Sequence, residues 1–308
     1  MSATALPQAA PDAATRRRIL LGYAAGIATV LIWAAWMVGT RHAVTHRLPP
    51  EAVGLLRFGI PALLLAPAWI RIGPWPRGLK PLTALGLLGS GAPFFLIVAT
   101  GMRFAPAAEI GPLLPGTMPL FVALVGFLAF GQRLGRWRIL GFALIGLGIL
   151  AIAGRGLLHP ETGAWRGHLL LLTGALCWGL YTHAYRLSGL TPAQGAGLVA
   201  LWSVPVLLPL GGPALLAAID EGHGGAVLVQ AVLQGVVAGA LSMVLYGMAI
   251  DRLGASRAAA LSPLGPVLGA VLAIPILGEI PDGPAIAGLV LASAGVLLAS
   301  GIKPEQRA

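Results

Sequence analysis

Residues 119–132 read PLFVALVGFLAFGQ, and residues 266–279 read PVLGAVLAIPILGE. Both segments open on proline, run through apolar residues, and close on glycine followed by an amide or a carboxylate. The match extends well beyond these two pieces. At an offset of about 145 to 147 residues, Trp33 falls on Trp178, Trp36 on Tyr181, Arg41 on Arg186, and Gly141 on Gly288; Pro61 matches Pro205 after a shift of two or three residues. A register kept across five apolar segments identifies a unit written twice.

The composition says what solvent that unit faces. The chain has 308 residues, of which 57% are hydrophobic and 10% charged, and its mean hydropathy is +0.87. A water-soluble surface needs far more charge than this. The 44 glycines and 25 prolines fit transmembrane helices, where both are commoner than in soluble ones. Apolar segments near 19–40, 52–71, 81–102, 107–130, 136–154, 167–187, 194–216, 227–250, 255–278 and 283–301 are each long enough to cross a bilayer core as a helix. They are continuously apolar and not alternating, which argues against a β-barrel. The residues therefore predict an all-α integral membrane protein of ten transmembrane helices. A cytoplasmic tail (1–18) precedes a first five-helix repeat (19–154), a second repeat (167–301) and a cytoplasmic tail (302–308). Because five is odd, the second repeat enters the membrane from the opposite side. Such inverted repeats recur in secondary transporters, with the substrate site near the midplane where the repeats meet.

Arg16, Arg17 and Arg18 ahead of an apolar run resemble a signal peptide, but that run is about twenty residues long and lacks a small-residue cleavage site, so it reads as a retained first helix. With the N-terminus inside, 14 Lys and Arg residues fall on the inner side and 5 on the outer, and Arg57 falls within a span. The positive-inside rule then puts both termini in the cytoplasm; the expected location is a bacterial inner membrane. The net charge of +10 sits at segment ends, without the basic patch and interleaved aromatics of a nucleic-acid surface. The single Cys177 allows no internal disulfide and no thiolate metal site. No phosphate-binding loop, H-E-x-x-H or G-x-S-x-G is present. The expectation is no enzyme, no cofactor and no metal. Membrane lipid and a small-molecule substrate are the expected partners, and the protein is a monomer or homodimer.

The W-x-x-(W/Y) pair in spans 1 and 6 and the Pro…G-(Q/E) pattern closing spans 4 and 9 resemble the EamA-type repeat of the drug/metabolite transporter superfamily. The resemblance covers residues 19–301. It implies a ten-helix transporter with a central cavity, with the amino-acid and metabolite exporters as the nearest general likeness. One departure stands out: the first copy carries Gln132 where the family often has glutamate.

The residues give their own reasons for a central site. Pro112, Pro115 and Pro119 interrupt span 4, and Pro263 and Pro266 interrupt span 9. Each proline removes a donor and crowds the carbonyl four residues back, which would free the carbonyls of Ala108, Gly111, Pro115, Ala259 and Ser262. Broken helices at equivalent places in two repeats are the best sequence pointer to a transport site, although the same prolines also serve as kinks or gates. Free carbonyls suit an ammonium, and a half-helix N-terminus suits a carboxylate; an amino acid offers both.

Around that site, Trp33, Trp36, Trp178 and Tyr181 lie mid-span at i and i+3, against the usual preference for the headgroup belts. They serve either a cavity wall or helix packing. Tyr246 and Trp202 are similar. His183 is an ionisable group within a span, and Ser242 and Ser262 supply hydroxyls, with Gln230 and Gln234 adding amides. Arg57 either binds a carboxylate or snorkels. Glu109 and Glu279 are expected at the outer ends of their spans, not deep in the membrane. The expected function is export of amino acids and related small metabolites by alternating access. Transport of amphipathic cations, purines or sugars is the alternative, followed by a non-transporting sensor or scaffold.

Overall fold

A computed structural model describes residues 13–46, 48–253, 257–258 and 261–299. Among these residues the secondary structure is helical, with no strand. Span 1 is Ala13–His46, span 5 Arg136–Leu158, span 6 Ala164–Ser188, span 7 Pro192–Ala218 and span 10 Gly283–Ala299. The others are interrupted. Span 2 runs as Pro50–Leu64 and Ala66–Ile70, and span 3 as Pro81–Leu87 and Ala92–Gly101 around a 3₁₀ turn. Span 4 runs as Ala107–Leu113 and Met118–Phe130. Span 8 runs from Gly224 to Leu253 with a π-helical middle, Ala231–Leu241. The regular helix of span 9 is Leu264–Leu277.

Five helical stretches are individually long and apolar enough to cross a membrane. The longest of them, Pro192–Leu253, contains spans 7 and 8, which are divided where Gly222 adopts φ 83°. That backbone conformation is open to glycine at little steric cost. Large apolar side chains such as Leu63, Leu82, Leu128, Leu150 and Val290 stand exposed around the bundle. A chain that leaves so many of them uncovered is dressed for hydrocarbon.

The twofold relation read from the sequence is visible in the contacts. Spans 5 and 10 pack backbone to backbone. A Cβ on Gly141 would lie 2.6 Å from the Gly295 carbonyl oxygen, and one on Gly148 would lie 3.0 Å from that of Gly288. Gly141 and Gly288 are equivalent in the repeat, as are Gly148 and Gly295, so each contact is the mirror of the other. Small residues permit this approach, and in lipid close packing is the main force that joins helices.

The two opening segments also end alike. Gly131 and Gly278 adopt φ 61° and 69° and donate to the carbonyls of Phe127 and Ile274, both at 3.0 Å. The next residues, Gln132 and Glu279, reach back to Gly126 and Ala273. This left-handed cap satisfies carbonyls that the helix end would leave bare.

Candidate functional site

Span 4 is interrupted between Leu113 and Met118. The chain leaves the helix at Leu114 (φ −98°, ψ −80°) and re-enters it with Pro119 in the first turn, where a missing N–H is harmless. In span 9, Pro263 caps the regular helix. The first half of span 4 packs on the start of the regular helix of span 9: a Cβ on Gly111 would lie 2.6 Å from Cα of Pro266.

The carbonyl expectation needs correction. The Gly111 carbonyl accepts from Gly116 N–H at 3.0 Å, and the Ser262 carbonyl accepts from Gly265 N–H at 3.0 Å. Wider and tighter turns re-pair them, because bare carbonyls are costly away from water. Ala259 lies outside the described residues.

Trp33, Tyr246, Trp178 and Tyr181 fall in two groups, with no ring contact linking them among the described residues. Trp33 of span 1 packs on Tyr246 of span 8 at 5.3 Å between ring centroids. Trp178 contacts Tyr181 at 5.1 Å and Phe94 of span 3 at 5.6 Å, and Tyr181 stacks on Tyr185. Trp36 belongs to neither group. The Arg57 guanidinium lies 5.7 Å from the centre of its ring and donates to the Gln234 carbonyl at 3.1 Å. Gln234 in turn donates to Thr40 Oγ1 at 2.9 Å and to Gln230 Oε1 at 3.0 Å, and Gln230 donates to the Gly39 carbonyl. Arg57 of span 2 is thus held against spans 1 and 8. The π-helical register of span 8 offers carbonyls outside the regular ladder, a common feature of functional segments. Two polar atoms in this cluster, Trp36 Nε1 and Gln234 Oε1, are buried without a hydrogen-bond partner.

At one end of the bundle the repeats are tied together. Arg41 of span 1 pairs with Glu279 at the close of span 9, 2.6 Å between Nη2 and Oε1. Its Nε donates to the same oxygen at 2.7 Å, and Nη1 donates to the Met102 carbonyl. The other carboxylate oxygen accepts from Ala107 N–H, the start of span 4, at 2.5 Å. At the opposite end the equivalent residues are Arg186 and Gln132. Both are exposed, and they form no such pair among the described residues. Gln132 instead folds over its own helix at Gly126.

Glu109 stands in the first turn of span 4 and is buried there by protein. It is 7% exposed, and its partner His168 of span 6 is 3% exposed; Nε2 and Oε2 are 2.7 Å apart. His183 lies against span 4, with Nε2 2.8 Å from the Val122 carbonyl and its ring stacked on Phe130. Ser242 donates to the Ala238 carbonyl one turn back. Ser262 is half-buried beside Pro263. Trp202 is tied to the loop between spans 2 and 3 through the Pro74 carbonyl. Sequence reasoning missed both the Glu109–His168 and the Arg41–Glu279 partnerships, although Arg41 and Glu279 each stood in the repeat alignment.

Comparison with known proteins bears on what such a bundle is. The sequence model of the EamA-like transporter family matches the chain twice, over residues 20–154 and 165–301. The chain belongs to the EamA-like transporter family. This EamA-like transporter is 28% identical to a probable terminal-alkyne amino-acid exporter of Streptantibioticus cattleyicolor, over 88% of this chain and 91% of that protein. It is 26% identical to a probable amino-acid metabolite efflux pump of Salmonella typhimurium, over 87% and 91%. A solved crystal structure, 19% identical, superposes with a TM-score of 0.53 over 92% of this chain and 96% of that one, which supports the fold of the EamA-like transporter. Two copies of the family unit and the apolar helices make it a multi-pass membrane protein.

Proposed function

We propose that this protein exports amino acids and related small metabolites across the inner membrane by alternating access, with both termini in the cytoplasm. The observation that carries the reading is the unlike state of the two ends. Glu279 and Arg41 fasten the repeats at one end, while their repeat equivalents, Gln132 and Arg186, are open to solvent at the other. A duplicated unit with one end fastened is one of the two states that alternating access requires. By the arginine and lysine count the fastened end is the outer one. The substrate class is supported by the printed names of the two relatives, each covering about nine-tenths of its partner.

The Arg57 cluster supplies the chemistry for an amino acid. The guanidinium and the unpaired Trp36 N–H suit a carboxylate, and the unpaired Gln234 Oε1 suits an ammonium. The aromatic groups around Trp33 and Trp178 offer apolar walls to the side chain. A fixed cation at this depth works against amphipathic cations, since like charges repel strongly in a low dielectric.

Flux of labelled amino acids in liposomes containing only the purified protein tests this. Saturable exchange with an unlabelled amino-acid pool is expected. Flux of cationic dyes, nucleobases or sugars with no amino-acid exchange would overturn the substrate claim. In the same assay Arg57→Gln is expected to cut exchange roughly tenfold or more, the loss of one charge-assisted contact. Trp36→Phe keeps an aromatic ring but loses the N–H and part of the indole face under Arg57; with the charge still in place, its effect is expected to be smaller.

A further inference from the structure

We infer that the Glu109–His168 pair is a proton-binding site, loaded and unloaded through the outer pocket, whose protonation loosens the outer fastening. The inference rests on the transport reading above and deepens it. The pair joins span 4 of the first repeat to span 6 of the second, and both side chains are more than nine-tenths buried. It lines a pocket of about 320 Å³ whose wall also carries His159, Glu161 and Asp282. This pocket is at the end of the bundle that the arginine and lysine count places outside. Its acidic groups raise the local concentration of cations, including protons, beside a pair otherwise shut off from solvent.

The hydrogen bonding gives the pair two unequal states. With Nε2–H donating to Glu109, His168 and Glu109 share one proton. Nδ1 is buried and has no hydrogen-bond partner. It lies against Gly156, where a Cβ would stand 2.9 Å from it. A second proton taken from the pocket goes to Nδ1, giving an imidazolium beside a carboxylate. The new Nδ1–H then has no acceptor where it stands, and a buried donor left so is disfavoured. Protonation therefore favours movement of the ring, and of the start of span 6, toward the water of the pocket.

This step is connected to the end fastening. Glu109 lies two residues from Ala107, whose N–H is held by Glu279. The proton site and the outer fastening thus share the short first half of span 4, Ala107–Leu113. The charged groups near the pair are His159, Glu161 and Asp282 in the pocket and the Arg41–Glu279 pair at Ala107. His159 and Glu161 are themselves paired at 3.2 Å.

The test uses the full chain in liposomes and two measurements. Exchange of labelled against unlabelled amino acid at equal pH reports carrier function without a proton gradient. The same exchange measured with the exterior alone made acid reports the response of the outer pocket to protons. The wild type is expected to show exchange at equal pH and several-fold faster exchange with the acid exterior. Glu109→Gln and His168→Gln are expected to keep exchange at equal pH, which also shows that they are folded, and to lose the response to external acid. Wild-type exchange with no response to external acid, or variants of either kind that keep the full response, would overturn the proton site and leave the transport reading in place. Absence of any amino-acid exchange by the wild type would overturn the transport reading and the inference with it.

Discussion

Gly295→Leu is expected to be among the most damaging single changes in the protein. A Cβ at 295 would lie 2.5 Å from the Gly141 carbonyl oxygen, 2.7 Å from Ile145 Cγ1 and 2.9 Å from Ile145 N. Two of these three are backbone atoms, which no rotamer change can move aside. Span 10 must separate from span 5, and overpacking of this kind costs about 3 kcal/mol. Close packing is also what holds these helices together in lipid. Gly141→Leu, the same seam viewed from span 5, is expected to behave alike. Gly146→Leu is the control, since a Cβ there meets nothing within 4 Å. Thermal melts and the monodisperse yield of the three variants check this. Equal behaviour of Gly295→Leu and Gly146→Leu would remove the seam from the account.

Gln132→Glu is expected to change the balance between the two ends. The structure fastens one end with Glu279 and Arg41, and Gln132 and Arg186 are their repeat equivalents. A carboxylate at 132 supplies the missing half of a second ion pair, formed when the opposite end closes. The existing pair is largely shielded, with 13% and 26% of its side chains exposed. A shielded, multiply hydrogen-bonded pair of this kind contributes about 2 kcal/mol, roughly 30-fold in an equilibrium. The variant is expected to populate the state closed at the Gln132 end and to open the Glu279 end. A cysteine placed at Ala107 in a Cys177→Ala background then reacts several-fold faster with a water-soluble maleimide. Unchanged reactivity would mean that the two ends are not alternately fastened.

How far the sequence reached is clearest at particular residues. The proline segments were legible because proline acts locally: the break at Leu114 follows from Pro112 and Pro115 whatever surrounds it. The twofold relation of Gly141 and Gly288 was legible because a duplicated unit keeps its register. The fate of the freed carbonyls was not, since whether Gly116 N–H reaches the Gly111 carbonyl depends on the turn and not on the proline. The Glu109–His168 pair joins residues 59 apart, and Arg41 and Glu279 are 238 apart. Nothing in local spacing announces such partners. Glu109 was expected near the end of its span, and it does begin span 4. Its burial comes from the start of span 6 packing over it, a tertiary fact. Arg57 was visible as a charge within a span, but its place depends on the π-helical register around Gln234, which no periodicity in the sequence marked.

The most direct test of the central claim locks the fastened end. Cysteines replacing Arg41 and Glu279, in a Cys177→Ala background, are joined by a bifunctional thiol reagent with a cleavable disulfide spacer, and amino-acid exchange in liposomes is measured before cross-linking, after it, and after reduction. Alternating access predicts that exchange collapses on cross-linking and returns on reduction. Exchange that continues at its initial rate with the end cross-linked would contradict the account, because substrate would then cross without that end ever opening.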